Sequence, residues 1–237
     1  MADHLEIEQK FDVDPDFKLP DFAGVNARLG EGAGEVTAAA PVLHLLSATY
    51  FDTADGRLVA GKITLRRRIG GADEGWHLKL PGGPQPQADA RLPAGVSSRV
   101  EVHAPLDTAA TGDDGASAPV VPERLAARVA KVTGGLPLNP IATLDTERTV
   151  VTLNGHDGRL LAEIADDAVT ARRVHGAQRD GETADRAPSG ESLRWREIEV
   201  EVPTSAPELQ RAAADLLFAA GARPAGHGSK LARLLNS

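Results

Sequence analysis

Residues 4–11 alternate at period two. Leu5, Ile7, Gln9 and Phe11 share one face, and His4, Glu6, Glu8 and Lys10 share the other. Alone, this stretch reads equally well as an ordinary antiparallel strand showing its polar face to water. The pattern then returns. In 195–202, Glu197, Glu199 and Glu201 share a face and Ile198, Val200 and Val202 share its opposite; in 64–69, Arg66 and Arg68 stand opposite Leu65 and Ile69. Like charges along one strand face repel. Acidic and basic strands that closed on one another would instead enclose their charges and turn their apolar faces outward. The pattern therefore predicts a barrel filled with charge and covered outside by helices.

The remaining elements follow from period and punctuation. A short helix is expected over 20–29, with Phe22, Val25 and Leu29 on one side, and a strand over 42–51. One helical turn at 57–61 precedes the Arg66/Arg68 strand, and 70–75 is a hairpin loop. In 76–80, Lys79 has the opposite parity to Trp76, Leu78 and Leu80. A Pro/Gly/Gln loop (81–93) leads to a strand at 98–102 that puts Arg99 and Glu101 on one face. Residues 107–118, rich in Gly, Asp, Ser and Ala, read as mobile. Pro122 opens a helix to about 132 with Leu125, Val129 and Val132 as its stripe. Strands follow at 141–153, carrying Arg148, and at 160–169, where Glu163, Ala165 and Asp167 share a face. Asp166 takes the other side, and Thr146 has inward parity where a base would be natural. Residues 172–192 read as a long polar loop. A helix over 207–220 turns Leu209, Ala213, Leu216 and Leu217 inward, and Ser229-Lys230 opens a last short helix.

Composition narrows the classes. The 237 residues, 41% of them hydrophobic, fit one large domain, taken as 1–237 with the segment from about 207 included. A net charge of -8 argues against a nucleic-acid surface, and the absence of cysteine removes disulfides and thiolate metal sites. No apolar run approaches the roughly 18 residues of a membrane span, and no signal-peptide pattern opens the chain. A cytoplasmic protein is the expectation, with a homodimer left open. Abundant Ala, Arg and Asp with little Lys point to a high-GC bacterial genome. The seven histidines lack metal-ligand spacing, and the Gly-rich loops lack the Gly-Lys-Ser/Thr of a P-loop. Arg67 and Arg196 have outward parity, as does Trp76. Trp195 has inward parity, where packing is favoured over stacking on a ligand.

Closure would bring together the acids Glu6, Glu8, Glu101, Glu163, Asp167, Glu197, Glu199 and Glu201 and the bases Lys10, Arg66, Arg68, Lys79, Arg99 and Arg148, with Lys230 within reach. Burying so many charges uncompensated is prohibitive. Dense carboxylates suit a hard divalent cation, Mg²⁺ or Mn²⁺, and converging Arg and Lys suit a polyanion. A metal-bound phosphate chain satisfies both, which points to phosphoryl transfer.

Glu6-x-Glu8-x-Lys10, Tyr50-Phe51-Asp52-Thr53, Leu65-Arg66-Arg67-Arg68, Leu78-Lys79-Leu80-Pro81, Arg99-Val100-Glu101, Arg148, Ala162-Glu163 with Asp166-Asp167, Glu197-Ile198-Glu199-Val200-Glu201 and Ser229-Lys230 together resemble the CYTH family, the triphosphate tunnel metalloenzymes. The resemblance covers essentially the whole chain. It implies an α+β fold: a closed eight-stranded antiparallel β-barrel forming a tunnel, with helices packed on the outside. Family members hydrolyse inorganic triphosphate, thiamine triphosphate or nucleoside triphosphates, or cyclise ATP. The resemblance assigns Glu6, Glu8, Glu163, Asp167, Glu197, Glu199 and Glu201 to metal. It assigns Lys10, Arg66, Arg68, Lys79, Arg99, Arg148 and Lys230 to phosphates, with Glu8 and Lys10 as the catalytic pair. In many bacterial relatives a helical, His-rich CHAD domain follows this one; the sequence ends just past Ser229-Lys230, and that domain is not expected within it. The competing readings are a polyphosphate-binding module without turnover, a class IV-type adenylyl cyclase and a thiamine triphosphatase. Aromatics are 3% of the chain, and only Tyr50 and Trp195 are plausible stacking platforms. Inorganic triphosphate, giving pyrophosphate and phosphate, is therefore the expected substrate.

Overall fold

A computed structural model describes residues 3–30, 34–82, 96–106, 119–174, 192–202 and 206–237, with side chains from Glu6 onward. The mobile stretch expected at 107–118, and most of the loops at 81–93 and 172–192, lie outside the described residues. In chain order the elements are β1 (Asp3–Val13), a 3-10 turn (Phe22–Val25), β2 (Val36–Ala38), β3 (Val42–Asp52), α1 (Arg57–Ala60), β4 (Thr64–Ile69), β5 (Gly75–Pro81) and β6 (Val96–Ala104). Then come α2 (Glu123–Thr133), β7 (Asn139–Gly155), β8 (Leu160–Arg173), β9 (Leu193–Val202), α3 (Pro207–Ala219), β10 (Arg223–Pro224) and α4 (Lys230–Leu235).

Eight of these strands pair antiparallel in the order β1-β6-β5-β4-β3-β7-β8-β9, and β9 returns to β1 with Glu8 opposite Glu201 and Lys10 opposite Glu199. The barrel is closed, as the alternation predicts. The short β2 and β10 add to β7 and β1.

The outward faces are apolar and covered. Phe11, Ile164, Ile198 and Val200 pack with Leu209, Ala213 and Leu217 of α3 and with Phe22 and Val25 of the 3-10 turn. Round the barrel, Leu65, Trp76, Leu78 and Val102 pack with Leu58 of α1 and with Leu125 and Val129 of α2. A third cluster lies inside. Ala48, Tyr50, Ala142, Leu144, Val169, Ala171 and Trp195 have inward parity, and Leu231 and Leu234 of α4 pack against them. Three helices thus lie on the outer face, while α4 plugs one end of the barrel.

Two helical expectations change in detail. The helix over 20–29 shrinks to a 3-10 turn because the Asn26 side chain locks onto Val36, donating to its carbonyl at 2.7 Å and accepting from its N–H at 2.9 Å. The chain is bent there before a second helical turn can form. In α2 the buried stripe is Leu125, Val129 and Thr133, at i, i+4, i+8, and Val132 is 40% exposed. Pro122 stands at the N-cap, one position before the helix.

Candidate active site

Each inward strand face contributes to one cavity. Residues 6, 8 and 10 of β1, 66 and 68 of β4, and 199 and 201 of β9 point inward because alternation leaves their apolar neighbours outside. A cavity of about 340 Å³ is lined by Glu6, Glu8, Lys10, Arg66, Arg68, Lys79, Arg99, Arg148, Glu163, Glu199, Glu201 and Lys230. All seven expected phosphate ligands therefore converge on it. The seven expected metal ligands divide: five line the cavity, while Asp167 and Glu197 do not.

Those two lie against α4. Ser229 caps this helix, its Oγ accepting from the Ala232 N–H at 3.1 Å, and so fixes Lys230 at the first turn. The Lys230 ammonium stands 2.8 Å from a carboxylate oxygen of each of Asp167, Glu197 and Glu199. The oxygens of these three acids lie within 4.8 Å of one another. Arg148 donates to Asp167 through Nε at 2.8 Å and Nη2 at 2.7 Å, and to Glu199 at 2.7 Å. Lys10 donates to Glu8 at 2.8 Å and also to Glu199. Burial alone would discharge these groups, but they hold one another ionised. Glu199 is held well below the usual carboxylate range against burial by Lys10, Lys230 and Arg148. Lys230 and Arg148 are raised by their acids against the same penalty. Asp166 lies outside this network. It pairs with Arg196 at 2.7 Å, and Arg196 also donates to the carbonyls of Pro15 and Phe17, tying the segment after β1 to β9.

The rest of the cavity is less balanced. Lys79 donates to Glu6 at 2.6 Å, and Arg99 Nε stands 3.7 Å from Glu8 while its Nη2 bonds the Gly228 carbonyl. Arg66 donates to Tyr50 Oη at 3.3 Å. Arg68 is pushed down to about 9 by burial and by the neighbouring Arg66 and Arg148, and its guanidinium contacts the Asp73 carboxylate. Glu163 and Glu201 face each other across the β8–β9 register, and neither makes a hydrogen bond or ion pair with a described residue. Burial and the nearby Glu6 push Glu201 up to about 8.

Four titratable lining residues have no part in the expected ligand sets: Glu101, Tyr50, His44 and Asp73. Glu101 shares the parity of Arg99, and its carboxyl is kept low by His77, whose Nδ1 lies 2.8 Å away, and by Lys79 and Arg66, against burial. His77 and His44 have the inward parity of their strands, a signal the alternation carries. Asp73 sits in a hairpin, where parity says nothing. Trp195 donates from Nε1 to Glu197 at 2.6 Å and lies under the Arg233 guanidinium, so it walls the plugged end. A second cavity, of about 530 Å³, is lined in part by Val59, Ile63, Pro81 and Leu231 and shares Thr64, Arg99 and Ser229 with the first.

An all-oxygen donor set of this density fits a hard divalent cation such as Mg²⁺ or Mn²⁺. The paired crowding of cations at Arg66/Arg68 and of anions at Glu201/Glu163/Glu6 fits a polyanion and a metal together.

Residues 4–234 match the CYTH domain. Two uncharacterized proteins of Mycobacterium tuberculosis, from two strains, are each 40% identical to this chain over 240 residues. The alignment takes in 100% of this chain and 41% of each relative, so the chain spans about two fifths of the length of the curated relatives it matches. The crystal structure of a candidate adenylate cyclase from Bacillus halodurans superposes with a TM-score of 0.55 at 20% identity, covering 98% of both chains, and shares the fold. Among the described residues no helix is long and apolar enough to cross a membrane.

Proposed function

The chain belongs to the CYTH family, and on that premise we propose that it hydrolyses inorganic triphosphate to pyrophosphate and phosphate, with Mg²⁺ or Mn²⁺ as its cofactor. One observation carries the reading: the charge imbalance inside a single cavity. Arg66 and Arg68 crowd each other in one part of it, and Glu201, Glu163 and Glu6 in another. A phosphate chain relieves the first crowding and a divalent cation the second.

Glu6, Glu8, Glu163 and Glu201, with Glu199, would hold the cation. When bound it supplies polarisation of a phosphoryl oxygen and a lower pKa for the attacking water. Arg66 and Arg68, whose Nε groups are buried without a hydrogen-bond partner, take phosphate oxygens. Lys10, Arg148 and Lys230 are kept ionised by Glu199 and Asp167 and present their remaining donors to the chain. Lys79 and Arg99 hold it from β5 and β6. Lys10, braced between Glu8 and Glu199, fixes the chain for in-line attack. Positioning and charge supply most of what such a reaction needs.

A second reading has its own support. The cavity beside α4 has aliphatic walls and shares Arg99 with the first, so it offers room for an organic group on a triphosphate. It contains no aromatic side chain, which leaves inorganic triphosphate favoured. Steady-state kinetics on inorganic triphosphate, ATP and thiamine triphosphate, under identical Mg²⁺ and Mn²⁺, separate the two. We expect the highest kcat/KM for inorganic triphosphate. Equal or better turnover of an organic triphosphate, or cyclic AMP as the main product, would overturn this specificity, and binding without turnover of any of them would make the protein a phosphate-binding module.

A further inference from the structure

Among the residues lining the cavity, one acid comes from a loop and not from a strand. Asp73 sits in the hairpin between β4 and β5, and its carboxylate contacts the guanidinium of Arg68. Its backbone is held as well. The Asp73 carbonyl lies 2.9 Å from His77 Nε2 and accepts from Arg68 Nη2 at 3.5 Å. Both roots of the hairpin are clamped. A Cβ on Gly70 would stand 2.2 Å from the Leu45 carbonyl, and one on Gly75 would stand 2.6 Å from that of Ala104. Only glycine permits these approaches, and they fold the hairpin over the barrel mouth opposite α4.

The cations fall into two groups. Lys230, Lys10 and Arg148 gather around Glu199 near the plugged end. Arg66 and Arg68 lie on β4, and Arg68 pairs with Gly75 at the hairpin root. Beyond Arg68 stands a negative charge. A phosphate chain whose end lies on Arg68 gains from that cation, and a further phosphate there meets a carboxylate.

We propose that Asp73 limits the length of phosphate chain this cavity accepts, so that a triphosphate ends at Arg68 and a tetraphosphate is penalised. The inference rests on the reading of the cavity as a triphosphate site. Arg68 is 4% exposed, but the Asp73 side chain is 63% exposed, so the acid can be changed without opening the core.

The test compares linear inorganic triphosphate and tetraphosphate on the wild type, Asp73→Asn, Asp73→Glu and, as a hairpin control, Glu74→Gln. Two ratios are read: tetraphosphate to triphosphate kcat/KM with Mg²⁺, and the corresponding Kd ratio by calorimetry in EDTA. The wild type should favour triphosphate. Asp73→Asn should raise both ratios by about tenfold, the size of one close like-charge repulsion in partly screened surroundings. Asp73→Glu should retain the wild-type ratios, and so should Glu74→Gln. If Asp73→Asn changes both substrates by the same factor, or if the wild type shows no length preference, the inference is wrong. If the wild type hydrolyses neither compound, the proposed hydrolysis fails, and the Kd ratios alone decide the length limit.

Discussion

The half-buried Glu201 and the buried Arg68 stand on opposite sides of the same imbalance, and each predicts a measurable cost. Glu201 is pushed up to about 8 in the folded protein, first by burial and then by Glu6. The folded state therefore holds a proton that the unfolded chain has released, and stability falls as pH rises through this interval. Other groups act elsewhere: His77, pushed down to about 4 by burial, titrates below pH 6.5, and Arg68 above about 9. Between pH 6.5 and 8, metal-free protein should lose on the order of 1–2 kcal/mol, or roughly 3–6 °C in Tm. Thermal melts in EDTA check this; Glu201→Gln should flatten the slope, and a slope unchanged in that variant would assign it to another group. Arg68→Ala should lower kcat/KM at least about tenfold, since a charge-assisted contact contributes about 1.5–3 kcal/mol. Its ligand-free Tm should hold or rise, because the variant relieves repulsion from Arg66 and Arg148. A large fall in Tm with unchanged kinetics would make Arg68 a scaffold residue.

The strands were legible because alternation is a local signal: the charges of β1, β4 and β9 share parity, and one face had to turn inward. The plug was not. Leu231 and Leu234 read as an ordinary amphipathic pair, and nothing in six residues says that they enter a barrel end and meet Tyr50, Leu144 and Trp195. Such a short helix has no stability of its own. It is held by those contacts and by Lys230 among three carboxylates. The same arrangement explains why Asp167 and Glu197, which parity groups with the cavity acids, lie behind it: the ammonium already stands between them. Lys230→Met should therefore leave three crowded acids with one cation fewer, Glu197 losing its close ammonium partner outright, and cost about 3–5 kcal/mol in metal-free protein. Added Mg²⁺ should restore more Tm in this variant than in the wild type, since the emptied cage can take a cation. Equal Mg²⁺ responses would refute that account.

Across the whole molecule, the strand-borne interior carboxylates come from β1, β6, β8 and β9, so any cation they share draws on strands distant in sequence. Excess EDTA should abolish turnover while the far-UV circular dichroism is retained, and Glu8→Ala and Glu199→Ala should do likewise; full activity in chelator would remove metal from the chemistry. The closed order of the sheet was inferred from charge balance, whereas the hairpin's inward bend depends on approaches that no periodicity reports, those of Gly70 to Leu45 and Gly75 to Ala104. Closure also couples the two ends of the chain: β1 pairs with β9 from Ile7 opposite Val202 to Val13 opposite Arg196. During synthesis at about 5–20 residues per second, the first strand leaves the ribosome roughly 10–40 s before its partner exists. For that interval Phe11 has no Ile198 beside it and Glu8 and Lys10 have no Glu199 or Glu201. The nascent chain is an open sheet edge with one greasy and one charged face, exposed to chaperones and to neighbouring polysomes until the ninth strand arrives.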